Sequence, residues 1–229
     1  MDENEHKRAA ARAAAELLPE HGVVGLGTGS TTRYFINEVG RLVSEGRKLT
    51  GVPTSRRSRE LAQSLGIPLL DDLGPWNIDV CVDGADEVDD ALDLIKGGGG
   101  AHTREKIVNH HSKRNVIIVD ASKLSRRLGV RWAVPVEVVV FGHRATGALL
   151  SRFGTPSLRF AGDNPFVTDS GNYIYDVETG PIADAKALEE EFRHLPGVIE
   201  SGLFCDRTDT LIVASGSGVQ IRERHRSGP

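Results

Sequence analysis

The chain has 229 residues, enough for one large domain or two small ones, and its 39% hydrophobic content suits a protein that buries a core. Its 28 basic and 32 acidic residues leave a net charge of −4, which argues against a nucleic-acid surface built on bulk charge. No run nears the ~18 apolar residues of a membrane span, Met1–His6 is acidic and polar rather than a signal peptide, and Cys81 and Cys205 demand no disulfide, so a cytoplasmic protein is expected.

An alanine-rich stretch, residues 5–18, predicts a helix closed by Pro19. Val23–Gly27 predicts a strand that runs through Thr28-Gly29-Ser30-Thr31-Thr32 into a helix carrying Tyr34, Phe35, Ile36 and Val39 at helical spacing. A second strand, Lys48–Val52, ends at Pro53-Thr54-Ser55, and a helix follows over Arg56–Leu65. Short strands are expected at Ile67–Leu70, Ile78–Val82 and Leu92–Ile95, then a glycine run and a helix from Thr103 to about His111. Asn115–Val119 reads as a buried strand ending at Asp120-Ala121-Ser122-Lys123. Strands alternating with helices imply an α/β domain: a Rossmann-like, mostly parallel sheet with helices on both faces.

The texture changes near Leu128. Val134–Phe141 is strand-like, Gly142–Arg152 helical and Ser157–Phe160 extended; Phe166–Tyr175 predicts a hairpin, Ala185–His194 a helix and Gly197–Phe204 a strand. This is a smaller α+β domain over residues 129–206. Leu211–Ala214 and Val219–Ile221 predict a last hairpin returning to the first sheet, so residues 1–128 and 207–229 form the larger domain. The tail from Arg222 to Pro229 is basic and expected to fray.

Ligands bind such sheets at the carboxyl ends of the strands, and four polar motifs follow strands here. In the first, Gly25-Leu-Gly-Thr-Gly-Ser30 lacks the last glycine of a dinucleotide fingerprint, and the second strand ends in Pro53-Thr54-Ser55 rather than an acid, which argues against NAD. No G-K-[ST] follows either, so no P-loop is present. What remains is a set of hydroxyls at Thr28, Ser30 and Thr31 before a helix N-terminus, either a seat for phosphate or sugar hydroxyls or a tight turn capped by serine. In the second, Asp83-Gly84-Ala85-Asp86-Glu87 groups three carboxylates, which could hold a metal, bind sugar hydroxyls, divide acid and base duties or form a solvated turn. The histidines show no spacing that would complete a metal site.

In the third, Lys96-Gly97-Gly98-Gly99-Gly100, which as a bare glycine run could also be a flexible linker, brings a cation and a nest of N–H donors next to Glu105, with Thr103 as a candidate helix cap. A cation, N–H donors and a carboxylate within ten residues are what enolisation of a phosphorylated sugar needs. Lys123 completes the set. No nucleophile elbow and no cysteine with a base nearby supports hydrolysis.

Together these stretches, with Pro135-Val-Glu137, Thr168–Asn172, Leu195–Val198 and Gly202-Leu-Phe204, resemble ribose-5-phosphate isomerase type A from about residue 7 to residue 221. The resemblance implies metal-free, cofactor-free aldose–ketose isomerisation of ribose 5-phosphate and ribulose 5-phosphate in the pentose phosphate pathway, by a homodimer or homotetramer. It implies Glu105 as general base and substrate contacts from Thr28, Gly29, Ser30, Thr31, Asp83, Gly84, Ala85, Asp86, Lys96, Gly97, Gly98, Gly99 and Lys123, with Lys7 as a weaker phosphate contact. Ser170 departs from the asparagine common there, and Val138–Phe141 lacks a proline often found. Two other functions fit the architecture, an amino-sugar phosphate deaminase and a non-catalytic sugar-phosphate sensor. The sensor should carry a helix-turn-helix ahead of the sheet, whereas one helix precedes Val23.

Overall fold

The computed structural model describes residues 3–224. In chain order the elements are α1 (Glu3–Glu16), β1 (His21–Leu26), α2 (Ser30–Ser44), β2 (Lys48–Pro53), α3 (Arg56–Ser64), β3 (Val80–Asp83), β4 (Glu87–Val88), β5 (Leu94–Ile95), α4 (His102–His110), β6 (Asn115–Asp120), β7 (Val134–Val138), α5 (His143–Leu150), β8 (Thr155–Leu158), β9 (Phe160–Ala161), β10 (Asn164–Pro165), β11 (Tyr173–Glu178), α6 (Ala185–Arg193), β12 (Val198–Ser201), β13 (Leu203–Phe204), β14 (Thr210–Ser215) and β15 (Gly218–Glu223). The chain divides into two compact units. Of the described residues, the first holds 3–84, 104–123 and 207–224, the second 85–103 and 124–206. The boundary expected at 128/129 thus falls at 123/124, and residues 85–103, expected in the larger domain, group with the smaller one.

In the first unit a six-stranded sheet runs β15-β14-β6-β3-β1-β2. All pairings are parallel except β14 with β15. Buried on both faces, its central strands must be apolar throughout; β6 is buried along its whole length. Alternate residues serve opposite faces. Val80 and Val82 of β3 join Val24, Leu26, Leu49, Phe35 and Ile36 in one core. Cys81 points the other way and packs with Val52, Ile78 and Val108 of α4. On the first face Ala10, Ala11, Ala14 and Ala15 are buried. Their short side chains let α1 approach α2 closely. The predicted strand at 67–70 reduces to one bridge, Gly51 to Leu69. Its hydrophobic run is too short to extend the sheet beyond β2. The tail is only partly as expected: Arg222 lies in β15 and Arg224 donates from Nε to Thr208 O, whereas residues 225–229 lie outside the described residues.

The second unit holds a four-stranded antiparallel sheet, β12-β7-β11-β8, a three-stranded sheet, β13-β5-β4, and the small β9–β10 hairpin. Its core contains Ile95, Leu128, Val134, Val136, Val138, Leu150, Val177, Phe192 and Leu203. Three expectations are corrected. The hairpin expected over 166–175 is not formed; Phe166 instead donates its N–H to Arg159 O, and the hairpin lies at β9–β10. The single strand expected over 197–204 splits into β12 and β13, which belong to different sheets. Most consequential, β5 pairs antiparallel with β4 and β13 rather than joining the parallel sheet, so Lys96 does not follow a strand of that sheet.

Candidate active site

The parallel sheet changes winding direction at β1, whose neighbours are β2 on one side and β3 on the other. The loops after β1 and β3 therefore diverge at a topological switch point, where α/β sheets bind ligands. Gly27, just past the end of β1, and Asp83, the last residue of β3, touch. A Cβ on Gly27 would stand 2.1 Å from Asp83 Oδ1 and 2.7 Å from its Cα. Asp83 is 3% exposed and uses Oδ1 to accept the N–H groups of Thr28 at 3.0 Å and of Gly84 at 2.7 Å. The carboxylate thus shapes both loops.

The Thr28 hydroxyl, expected in a seat for phosphate or sugar hydroxyls, lies in a hydroxyl network with Thr54 at 2.8 Å and Ser55 at 2.8 Å. Ser58 closes the network by donating to Gly27 O at 2.6 Å. Thr54, Ser55 and Ser58 are buried, and the Pro53-Thr54-Ser55 stretch at the end of β2 is the sequence signal for this network. Ser55 also caps α3 by accepting the Ser58 N–H. The helix after the first loop starts at Ser30, so serine is not its cap. Gly29 holds the cap position at φ 135° and offers no side-chain acceptor. The N–H groups of the first turn, from Ser30 and Thr31 onward, are left to solvent or to an anion.

Two further groups lie on the same sheet edge. The helix α4 packs Val108 beneath β1 and β3 and leads into β6, so it runs back along the sheet. Glu105, in its first turn and 3% exposed, therefore starts at the carboxyl edge. Lys123 ends the helical turn that follows β6, the strand beside β3. In that turn Asp120 is pushed up by burial, but the Ser122 hydroxyl and N–H and the charges of Lys123 and Lys7 outweigh this and hold it below its ordinary value of 3.8. Lys7 itself pairs with Glu3 at 2.5 Å. A carboxyl whose folded value is depressed stabilises fully above its unfolded value and loses that contribution as pH falls through the folded one. Melting temperatures of wild type and Asp120→Asn should therefore differ most above pH 3.8 and converge below it.

In the second unit the expected residues surround the glycine run. Lys96 is 3% exposed, donates its N–H to Gly202 O at 2.8 Å, and sets its ammonium 5.4 Å from the Phe204 ring centroid, a cation–π distance. Asp86 takes the Gly98 N–H on Oδ2 at 2.7 Å. That N–H is therefore committed inside the loop, and Gly100 N–H is likewise committed to Gly97 O at 2.9 Å. Among the described residues the N–H of Gly99 has no such acceptor, so the nest offers fewer donors than four glycines suggest. Gly98 and Gly99 are exposed. Gly97, at φ 108°, sits against the His102 ring, where a Cβ would approach Nδ1 to 2.7 Å. Ala85 is half-buried. Thr103 is not the cap of α4. It lies inside the helix, and its hydroxyl donates to Glu137 Oε2 at 2.5 Å.

Among the described residues, no group of three or more His, Cys, Asp or Glu is disposed to hold a metal ion. No described helix is long and apolar enough to cross a membrane.

A family model described as ribose 5-phosphate isomerase A (phosphoriboisomerase A) matches residues 50–218. A relative from Thermococcus kodakarensis named ribose-5-phosphate isomerase A is 45% identical, with 98% of this chain and 100% of that one covered. A relative of the same name from Gluconobacter oxydans is 45% identical, with 96% of each covered. Among solved structures, a D-ribose-5-phosphate isomerase in complex with phospho-erythronic acid superposes with a TM-score of 0.95 at 41% identity, covering 98% of this chain and 100% of that one. Ribose 5-phosphate isomerase A from Methanocaldococcus jannaschii gives 0.92 at 39% identity, covering 97% and 100%.

Proposed function

This chain belongs to the ribose 5-phosphate isomerase A family and is an aldose–ketose isomerase of ribose 5-phosphate and ribulose 5-phosphate; from that premise we propose that Glu105 carries its proton transfer. The observation that supports this most directly is a buried glutamate in the first turn of α4, at the carboxyl edge of the sheet where Asp83 and the Thr28 loop meet.

The reaction moves one proton between carbons and one between oxygens. An Asp83 or Asp86 carboxylate assists ring opening by taking the anomeric hydroxyl proton and returning one to the ring oxygen. Glu105 then removes the C2 proton of the open aldehyde as negative charge passes to the C1 oxygen, which gives a cis-enediolate, and that oxygen then gains a proton. The same carboxyl returns its proton to C1 as the C2 hydroxyl loses its own, which leaves the ketose. A base positioned in this way contributes roughly 10²–10⁴-fold. Lys96 and the Gly99 N–H supply positive potential for the charge that grows on the carbonyl oxygen, where one such donor is worth about 3 kcal/mol. The uncapped first turn of α2 and Lys123 provide for the phosphate and the sugar hydroxyls.

The test is interconversion of the two pentose phosphates by the wild-type enzyme with and without EDTA. Undiminished activity in chelator supports proton transfer without a metal. Activity lost to EDTA and regained with a divalent cation sends the Asp83-Gly-Ala-Asp-Glu87 carboxylates back to the role of metal ligands. Binding without turnover identifies a sensor, and ammonia release from a glucosamine phosphate identifies a deaminase. The same reading puts the enzyme in the cytoplasm as a homodimer or homotetramer, and light scattering on the purified protein decides between the two oligomers.

A further inference from the structure

We propose that Arg159 is a positioning residue that aims the N–H of Gly99, a role resting on the reading above that the glycine run meets the substrate. Arg159 follows β8, far from the glycines in sequence. Its Nη1 donates to Gly97 O at 2.8 Å and reaches Gly98 O at 3.4 Å. The other edge of the guanidinium is held by Asp176 of β11, with Nε donating to Oδ2 at 2.9 Å and Nη2 to Oδ1. The backbone of Arg159 is fixed as well: its N–H donates to Ile174 O at 2.9 Å and its carbonyl accepts from Phe166 at 2.8 Å. The planar fork therefore has few other orientations open to it.

Peptide planarity turns this grip on carbonyls into control of N–H groups. In a trans peptide the C=O of one residue and the N–H of the next point in opposite directions. The Gly97–Gly98 peptide is pinned at both ends, its carbonyl by Arg159 and its N–H by Asp86 Oδ2 at 2.7 Å. The Gly98–Gly99 peptide directs its carbonyl to Arg159, so the Gly99 N–H points away from the arginine, on an exposed stretch of chain. Without a Cβ on either side, that peptide could otherwise flip at little cost. The ring of Phe166 blocks movement from the far end, since a Cβ on Gly100 would lie 2.4 Å from it. Arg159 thus fixes a donor that would otherwise point either way, and a preorganised donor acts on the charge that grows in the transition state.

The experiment compares Arg159→Ala, Arg159→Lys and Asp176→Asn with wild type, reading kcat and KM per folded enzyme together with the melting temperature. A misaimed donor lowers kcat by about 10–100-fold and moves KM little. Arg159→Lys should recover part of the loss, because one ammonium can reach a carbonyl but cannot also hold Asp176 bidentately. Asp176→Asn should lower kcat with the arginine still present. A kcat per folded enzyme within threefold of wild type in both Arg159 variants overturns the proposal, as does a rise in KM at unchanged kcat, which marks ordinary ground-state binding. If Arg159→Ala does not fold, Arg159→Lys and Asp176→Asn decide. A wild-type enzyme inactive on both pentose phosphates defeats the functional reading itself, which is a different result from an active enzyme indifferent to Arg159.

Discussion

Glu105→Gln is expected to lower kcat by roughly 10²–10⁴-fold while KM stays within about threefold and the melting temperature barely moves. The amide keeps the size of the glutamate and its place in the first turn of α4 but cannot accept a proton from carbon. The magnitude separates this role from a binding one. A lost contact to substrate weakens ground and transition states alike and appears in KM, whereas a lost base appears in kcat. Steady-state kinetics in both directions, with a thermal melt, make the measurement. A Glu105→Gln enzyme with more than a tenth of wild-type kcat would remove Glu105 from the chemistry and turn attention to Asp83. Because Glu105 is buried, the same variant must be shown to fold, and the near-isosteric amide is chosen for that reason.

Gly27→Ala is expected to damage both stability and activity through a single methyl group. Gly27 closes β1 and donates its N–H to Val82 O at 3.1 Å, which ties it to β3. The added Cβ would meet Asp83 Oδ1 at 2.1 Å and Cγ at 2.2 Å, contacts a side-chain rotation could relieve. The contact of 2.7 Å with Asp83 Cα is backbone and cannot be relieved without separating the two strand ends. Overpacking of this kind costs about 1–3 kcal/mol. The activity should suffer more, because separation of the strand ends carries Asp83 away from the Thr28 N–H that it holds at 3.0 Å. A displacement of about 1 Å in a catalytic array costs on the order of 100-fold in rate. Gly216→Ala is the control, since nothing lies within 4 Å of a Cβ there. Wild-type kcat/KM and melting in Gly27→Ala would show that the two loops yield more easily than their packing implies.

The expectations that succeeded and those that did not have different physical origins. The helices and parallel strands of the first unit were legible because a side-chain period of 3.6 or 2 is a local property, read from neighbouring residues. The loops at the strand ends were legible too, because glycine, serine and aspartate in a strand-to-helix turn serve local backbone demands. The β5 strand was misassigned because it has two residues, Leu94 and Ile95, and two residues carry no period. Its partners, β4 and β13, are equally short.

Partners far apart in the chain were illegible for a similar reason. Thr103 was read as a helix cap because the rule for caps is local, but its hydroxyl is taken by Glu137, 34 residues on. Glu137 is 1% exposed and also accepts from Thr168 and Asn172, so a buried carboxylate in need of donors overrode the local preference. The Thr28 hydroxyl was drawn in the same way into the Thr54–Ser55–Ser58 network.

By itself, then, the sequence determined the α/β class and the family, and it supplied the motifs proposed to carry the chemistry, because local patterning and ordered motifs need no three-dimensional information. Only the tertiary structure decided which glycine N–H groups remain available, that Asp83 shapes two loops at once, and that Arg159, 62 residues beyond Gly97, grips the glycine run. These outcomes rest on hydrogen bonds that join Thr28 to Asp83, Gly98 to Asp86 and Arg159 to Gly97 across 12 to 62 residues of chain, and partners so far apart are chosen only once the chain has folded.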